Sequence, residues 1–360
     1  MSLTRRDWMT YTAGLAWAGL GHAADRRFDP QPSAWRGFEL TTRIELARAE
    51  GGSQVWLPVP SIESSWQRSG ENRWTTNAVE AAIVTSDANG VRMLHARFAP
   101  GSVPVVELVS RFETRNRVAD AAQRGKADAD VARWKQPTAL MPTDGVVART
   151  VARIVDASDS DLVKVRKIYD WMVANTYREP SVRGCGDGNV KAMLETGNFG
   201  GKCADLNAMF VCLCRGAGVA ARDVYGIRIE PSAFGYRELG ASSSKLQGAQ
   251  HCRAEVFLQD AGWVAMDPAD VGKVMRQETS DWIRDAGHPL VAPVRKALFG
   301  SWEGNWVGFN SAHDVVLPGS ADRTPLPFLM YPQAEDAAGR CDALDADAFR
   351  YTISARRVDA

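Results

Sequence analysis

From Gly37 the chain alternates apolar and polar positions: Phe38, Leu40, Thr42, Ile44 and Leu46 are separated by Glu39, Thr41, Arg43 and Glu45. A period of two belongs to a strand with one buried face. Further extended runs are expected at Gln54 to Val59, Val91 to Phe98 and Val103 to Phe112, with turn chemistry at Asn89-Gly90 and Pro100-Gly101. Strands at this density predict an all-β, sandwich-like domain over residues 37–117. Polar, Ala-rich sequence at 119–135 suits a linker or an exposed helix, and residues 118–142 are assigned to a linker.

After Pro142 the period changes. Leu162, Val165, Ile168, Tyr169, Trp171 and Met172 recur at three- and four-residue steps behind Ser158, Asp159 and Ser160, which are good N-cap residues. An amphipathic helix is predicted there. Residues 178–201 read as loop, rich in Gly and broken by a short apolar piece at Met193-Leu194. Such a Gly-laden approach to a helix start needs a structural reason.

That helix start is the most informative stretch, GGKCADLNAMFVCLCRGAG. Leu206, Met209, Phe210 and Leu213 form an apolar stripe and Gly216 and Gly218 supply a stop, so a helix is predicted from Lys202 or Cys203 to Arg215. Cys203 then occupies the first turn, within the buried sector. Backbone amides there lack helical acceptors and carry the positive end of the helix dipole, which favours a thiolate. A lone buried Cys is ordinarily inert core, so Cys203 needs a base. Of five His, His22 falls in the leading segment and His95 in the β domain, while His288 and His313 lack periodic context. His251 opens HCRAEVFL on its more polar face, opposite Cys252, which is assigned to the core. A turn at 259–262 followed by GWVAMDPAD predicts a hairpin. With a three-residue loop at 259–261, Leu258 pairs with Gly262, and Asp267 lies diagonal to His251 on the same face; a two-residue loop turns it away. Asp267 would orient the imidazole.

These blocks, GGKCADLNAMFVCLCRGAGVAARDVYGIRI and QHCRAEVFLQDAGWVAMDPAD, resemble the transglutaminase-like superfamily over roughly residues 150–275. The family pattern is a Cys-x-Asp opening a helix, a G-V-x-A-R strand entry, a His before a strand, then Gly-Trp and Asp-Pro. The resemblance implies Cys203 as nucleophile, His251 as general base and Asp267 as its partner, on an α+β core related to papain-like enzymes. The nucleophile-bearing helix would pack on an antiparallel sheet within residues 143–290, with 291–360 as a C-terminal extension packing on that core. It names no substrate, since relatives include peptidases, crosslinkers, amide-removing enzymes and inactive proteins.

Composition narrows this further. Lys plus Arg is 43 and Asp plus Glu is 43, so no global positive field exists to gather nucleic acid. No apolar run is long enough to span a bilayer. Six Cys are too sparse for a disulfide scaffold, although Cys185, Cys252 and Cys341 leave a bridge open. A zinc site from Cys212, Cys214, His251 and Cys252 is disfavoured, because Cys212 and Cys214 diverge by about 200° on a helix. Trp302 and Trp306 are read as core before a sugar platform, Glu195 with Glu179 or Asp187 as no glycosidase pair, and Asp205 and Asn207 as capping or dipole residues. Residues 1–24 carry Arg5-Arg6, a weakly apolar stretch from Trp8 to Gly21 and Ala23-Ala24, resembling a twin-arginine export signal. The expected protein is therefore a periplasmic thiol enzyme without cofactor or metal. It acts on a carboxamide or peptide bond of a peptide or protein substrate, by hydrolysis before crosslinking. The alternative is a non-catalytic binding or scaffold protein that retains the fold.

Overall fold

The computed structural model describes residues 26–47, 50–86, 90–118, 130–347 and 349–359. The expected export signal lies outside the described residues, as do residues 119–129 of the expected linker.

Seven strands come first: β1 (Arg36–Glu45), β2 (Ser53–Pro58), β3 (Gln67–Thr76), β4 (Glu80–Thr85), β5 (Arg92–Phe98), β6 (Val105–Thr114) and β7 (Arg117–Val118). Four of them, β1, β2, β5 and β6, are those the alternation predicts. The sequence of β3, QRSGENRWTT, shows no apolar face because it sits at a sheet edge. Its backbone pairs with β6 through an irregularity between Ser69 and Asn72, and a Cβ on Gly70 would stand 2.8 Å from the Arg111 carbonyl.

The second part of the chain alternates helices and strands: α1 (Gly145–Ile154), α2 (Asp161–Asn175), β8 (Tyr177–Arg178), α3 (Val190–Thr196), β9 (Gly200–Gly201), α4 (Cys203–Gly216), β10 (Ala221–Arg228), β11 (Gln250–Leu258), β12 (Gly262–Met266), α5 (Pro268–Gln277) and α6 (Ala292–Ala297). Ser160 caps α2, its hydroxyl accepting from the Val163 N–H at 3.4 Å. Residues Cys203 to Arg215 of α4 are all buried, so this helix is more enclosed than its apolar stripe alone implies. It packs on β10 and β11 and against α1, α2 and α5. The last strands are β13 (Ser301–Trp302), β14 (Trp306–Asn310), β15 (Gln333–Asp336), β16 (Gly339–Arg340) and β17 (Arg350–Val358).

Three larger sheets result, with orders β17-β1-β6-β3, β16-β15-β2-β5-β4 and β12-β11-β10-β14. All their pairings are antiparallel. The fold is α+β: a sheet-rich N-terminal region, then a core with α4 against an antiparallel sheet. The C-terminal extension does more than pack on the core as expected. β14 completes the core sheet, but β15 and β17 return to the N-terminal sheets, where they cover the otherwise open edges of β2 and β1.

Ion pairs join the two parts. Glu255 on β11 pairs with Arg117 on β7 and, at 2.5 Å, with Arg222 on β10. Glu230 pairs with Arg36 from β1 and, at 2.7 Å, with Arg357 from β17. Arg117 and Glu255 are both buried, so removing one strands the other charge in low dielectric, whereas Arg357 is largely exposed. Trp302 and Trp306 pack with Trp66 in this region, as core residues.

Candidate active site

Cys203 is the first residue of α4, and the glycines before it have a specific task. Asp205 accepts from the Lys202 N–H at 2.9 Å and from the Asp187 and Gly188 N–H groups at 3.0 Å each. The loop wraps this carboxylate so closely that a Cβ on Gly186, whose φ is +87°, would stand 1.8 Å from Asp205 Oδ2. Asp205 is thus the cap that the sequence suggests. The Ala204 N–H donates to the Cys185 carbonyl at 3.0 Å, while that of Cys203 has no acceptor among the described residues.

His251 lies on β11, buried at 4% exposure. Leu258 pairs with Gly262, the three-residue-loop register, and Asp267 follows the end of β12 as N-cap of α5. Its Oδ2 is 2.8 Å from His251 Nε2. Asp270, one helical turn on, is 3.4 Å from the same nitrogen and is gripped by Arg228 at 2.5 and 2.7 Å. Trp306 Nε1 donates to the His251 carbonyl at 2.9 Å, fixing the strand at that point. With Nε2 committed to carboxylates, Nδ1 is the ring nitrogen left for the Cys203 sulfur, and both residues line the same cavity.

Asn207 was expected to serve the helix start; it instead serves the site. One turn along α4 from Cys203, its Nδ2 donates to Asp267 Oδ1 at 3.1 Å and to the Cys252 carbonyl at 2.9 Å. Cys252 is buried in the core, as strand alternation assigns it, and it also borders the site. Its thiol and that of Cys185 both lie against the Cys203 sulfur. Cys185 also reaches the Gln250 carbonyl at 3.3 Å, but a thiolate is the stronger acceptor.

The electrostatics follow from these contacts. Hydrogen bonds from Cys185, then Cys252, and then the His251 interaction outweigh burial and hold the Cys203 thiol well below its ordinary pKa. Cys185 is pushed well up by its bond to Cys203 and by burial, and Cys252 by burial and the same bond. Burial and Arg228 oppose a charged His251, yet Asp270 and Asp267 prevail and raise it to about 9. Burial pushes Asp270 up, but Arg228 and His251 hold it well below the usual carboxylate range. Burial and the Asp270 charge push Asp267 up. The site therefore suits a thiolate beside an imidazolium.

His251, Asp267 and Asp270 bring ligand atoms within 4.8 Å of one another, close enough for a cation. Arg228 already supplies the positive charge to Asp270, and Asp267 accepts from Asn207 and from the Asp270 N–H, so the set reads as an imidazolium cradle. Cys212 and Cys214 are buried, with thiols pushed up by burial; Cys212 donates to the Pro142 carbonyl at 3.1 Å. All six cysteines are free thiols.

A cavity of about 460 Å³ opens onto Cys203, Cys185 and His251. Arg178, Lys202, Lys245 and Lys273 line it, as do Tyr331, Leu344 and Tyr351. Of the residues sequence reasoning missed, Asn207 and Asp270 carried a signal: they stand four residues after Cys203 and three after Asp267, each on its partner's helical face. Cys185 and Arg228 carried none, being brought in by tertiary folding.

A family model for the transglutaminase-like superfamily matches residues 148–268. A protein of Haemophilus influenzae described only as uncharacterized is 32% identical over 344 residues, which cover 89% of this chain and 91% of that protein. Among solved structures, a candidate cysteine protease from Cytophaga hutchinsonii matches with a TM-score of 0.57 at 13% identity, covering 92% of this chain and 93% of its own. That likeness extends a shared fold through the β layers as well as the core. The periplasmic domain of TgpA from Pseudomonas aeruginosa gives a TM-score of 0.34 at 15% identity, over 69% of this chain and 92% of its own.

Proposed function

The chain belongs to the transglutaminase-like superfamily, and on that premise we propose that it is a thiol enzyme that cleaves a peptide or carboxamide bond through Cys203, His251 and Asp267. The observation that carries this reading is a buried sulfur, held ionised by its neighbours, within reach of an imidazole whose other nitrogen is 2.8 Å from Asp267.

Cys203 Sγ attacks the carbonyl carbon, and the developing oxyanion accepts from the free Cys203 N–H. His251 then gives its Nδ1 proton to the leaving nitrogen as the C–N bond breaks, leaving a thioester and a neutral imidazole. Water attacks the thioester, His251 takes its proton, and the C–S bond breaks to release a carboxylic acid and restore the thiolate–imidazolium pair. Asp267 keeps the ring oriented throughout. No step draws on a metal or an organic cofactor.

Hydrolysis is favoured over crosslinking on electrostatic grounds. A lysine ammonium entering as second substrate would meet Arg178, Lys202, Lys245 and Lys273 around the cavity, whereas water meets no such barrier. Among the described residues no helix is long and apolar enough to cross a membrane. The Arg5-Arg6 segment supports action in the periplasm after twin-arginine export.

The test is turnover of p-nitrophenyl acetate followed by peptide mapping. The reading predicts a burst of nitrophenol with an acetyl adduct on Cys203, lost in Cys203→Ala. Absence of burst and adduct would favour a non-catalytic scaffold.

A further inference from the structure

We infer that the cleft beside Cys203 recognises a carboxylate on its substrate, and that the substrate is an acidic peptide held by Arg178, Lys202 and Lys245. This rests on the thiol-enzyme reading of the same site and adds the substrate's class to it.

Besides Cys203 and His251, six charged side chains line the cavity: Arg178, Lys202, Arg228, Lys245, Asp270 and Lys273. Arg228 and Asp270 satisfy each other at 2.5 Å. Lys273 is occupied too, donating to the Glu238 carbonyl at 2.7 Å with that residue's carboxylate 3.4 Å away. Arg178 bonds only a neutral group, its Nε donating to Gln277 Oε1 at 3.0 Å. Lys202 and Lys245 have no carboxylate partner among the described residues. Three cations around one cleft thus have no carboxylate at ion-pairing distance among the described residues; the anions acting on Lys202 are the Cys203 sulfur and Asp205, which is already engaged in capping α4.

Their placement is enforced by the fold. β8 and β9 pair in parallel with Arg178 opposite Gly201, so the guanidinium is set beside Lys202 and the sulfur that follows it. Burial and the Arg178 charge together push the Lys202 ammonium below its ordinary pKa, so the two cations repel each other. Folding like charges together costs stability unless an anion joins them, and a guanidinium fork next to an ammonium matches a carboxylate.

The size of the cleft selects a peptide over a small amide. Lys245, Gln247, Gly248, Leu344 and Tyr351 also line a second cavity of about 620 Å³, which continues toward Phe349 and Ala343. One end of the combined groove is cationic and the other is largely apolar, which suits an extended chain with an acidic residue near the scissile bond and an apolar one beyond it.

The test compares alkylation of Cys203 by iodoacetate and iodoacetamide, reagents of similar size that differ by one negative charge. Iodoacetate ordinarily suffers repulsion from a thiolate. In the wild-type protein it should react at least as fast as iodoacetamide. The ratio should fall about five- to tenfold in Arg178→Gln and about threefold in Lys245→Gln, and 0.5 M NaCl should reduce it as well. A ratio unchanged in both variants would overturn the inference while leaving the nucleophile intact. A Cys203 inert to both reagents would instead remove the thiol-enzyme reading. The carboxylate site is then decided by fluorescence anisotropy on Cys203→Ala with two labelled peptides that differ only as Glu or Gln. Tighter binding of the Glu peptide, by about fivefold and lost in Arg178→Gln, supports the site; equal binding, or none, refutes it.

Discussion

Asn207 Nδ2 donates to Asp267 Oδ1 at 3.1 Å, so the helix that carries the sulfur also holds the carboxylate that orients the imidazole. Sulfur and base are thereby set by one rigid element, with Trp306 anchoring the strand of His251 from the other side. The precision this gives is what a positioned nucleophile requires.

Asn207→Ala should therefore damage both stability and turnover. It leaves the Cys252 carbonyl and an Asp267 oxygen short of a donor in a fully buried setting, a loss of about 2–3 kcal/mol. Urea denaturation checks that figure. The nitrophenyl ester burst should slow at least about tenfold in the protein that remains folded.

The thiols around Cys203 give a second expectation. Cys185→Ala removes the largest influence holding that sulfur ionised, so the acid limb of its alkylation profile should move to higher pH. Its rate at neutral pH should fall at least about tenfold, the worth of a hydrogen bond to a charged group. Stopped alkylation between pH 4 and 9 reads both.

The pH dependence of folding separates the ion pair into its members. His251 is raised to about 9, so the stability it contributes is complete below its ordinary value near 6.5 and is lost as the pH rises through about 9. Cys203 is shifted downward, and its contribution grows over the same interval, offsetting the first. In Cys203→Ala, then, the unfolding free energy should drop by roughly 2–3 kcal/mol between pH 6.5 and 9.5. In Cys203→Ala with His251→Gln the drop should shrink to the part above about pH 8.5 that comes from buried thiols such as Cys212 and Cys214, which burial keeps protonated in the folded state.

Gly186→Ala tests the loop that wraps Asp205. The added Cβ meets Asp205 Oδ2 at 1.8 Å from a backbone with φ of +87°. The loop must open, and the capped start of α4 should lose about 2–4 kcal/mol, measured by chemical denaturation.

The parts of this architecture that announce themselves in the sequence are those with a local period. β1, β2, β5 and β6 show alternation, α2 and α4 show a helical stripe, and the loop at 259–261 fixes the hairpin register that carries Asp267 to His251. The polar edge strand β3 and the returning strands β15 and β17 show no comparable signature, because their order comes from pairing with distant segments. The same division runs through the site. Cys203, His251 and Asp267 stand in recognisable surroundings, whereas Cys185 reaches the sulfur from a glycine loop whose path depends on Asp205. Strand alternation places Cys252 in the core, where it lies, but does not show that α4 crosses β11 closely enough to bring that residue beside Cys203 as well.

The most direct measurement is a map of iodoacetamide labelling across all six cysteines at neutral pH. Selective, rapid modification of Cys203, slowed at least about a hundredfold in His251→Ala, is the predicted result. Uniformly slow labelling of all six thiols, unaltered by that substitution, would contradict an ionised sulfur paired with His251.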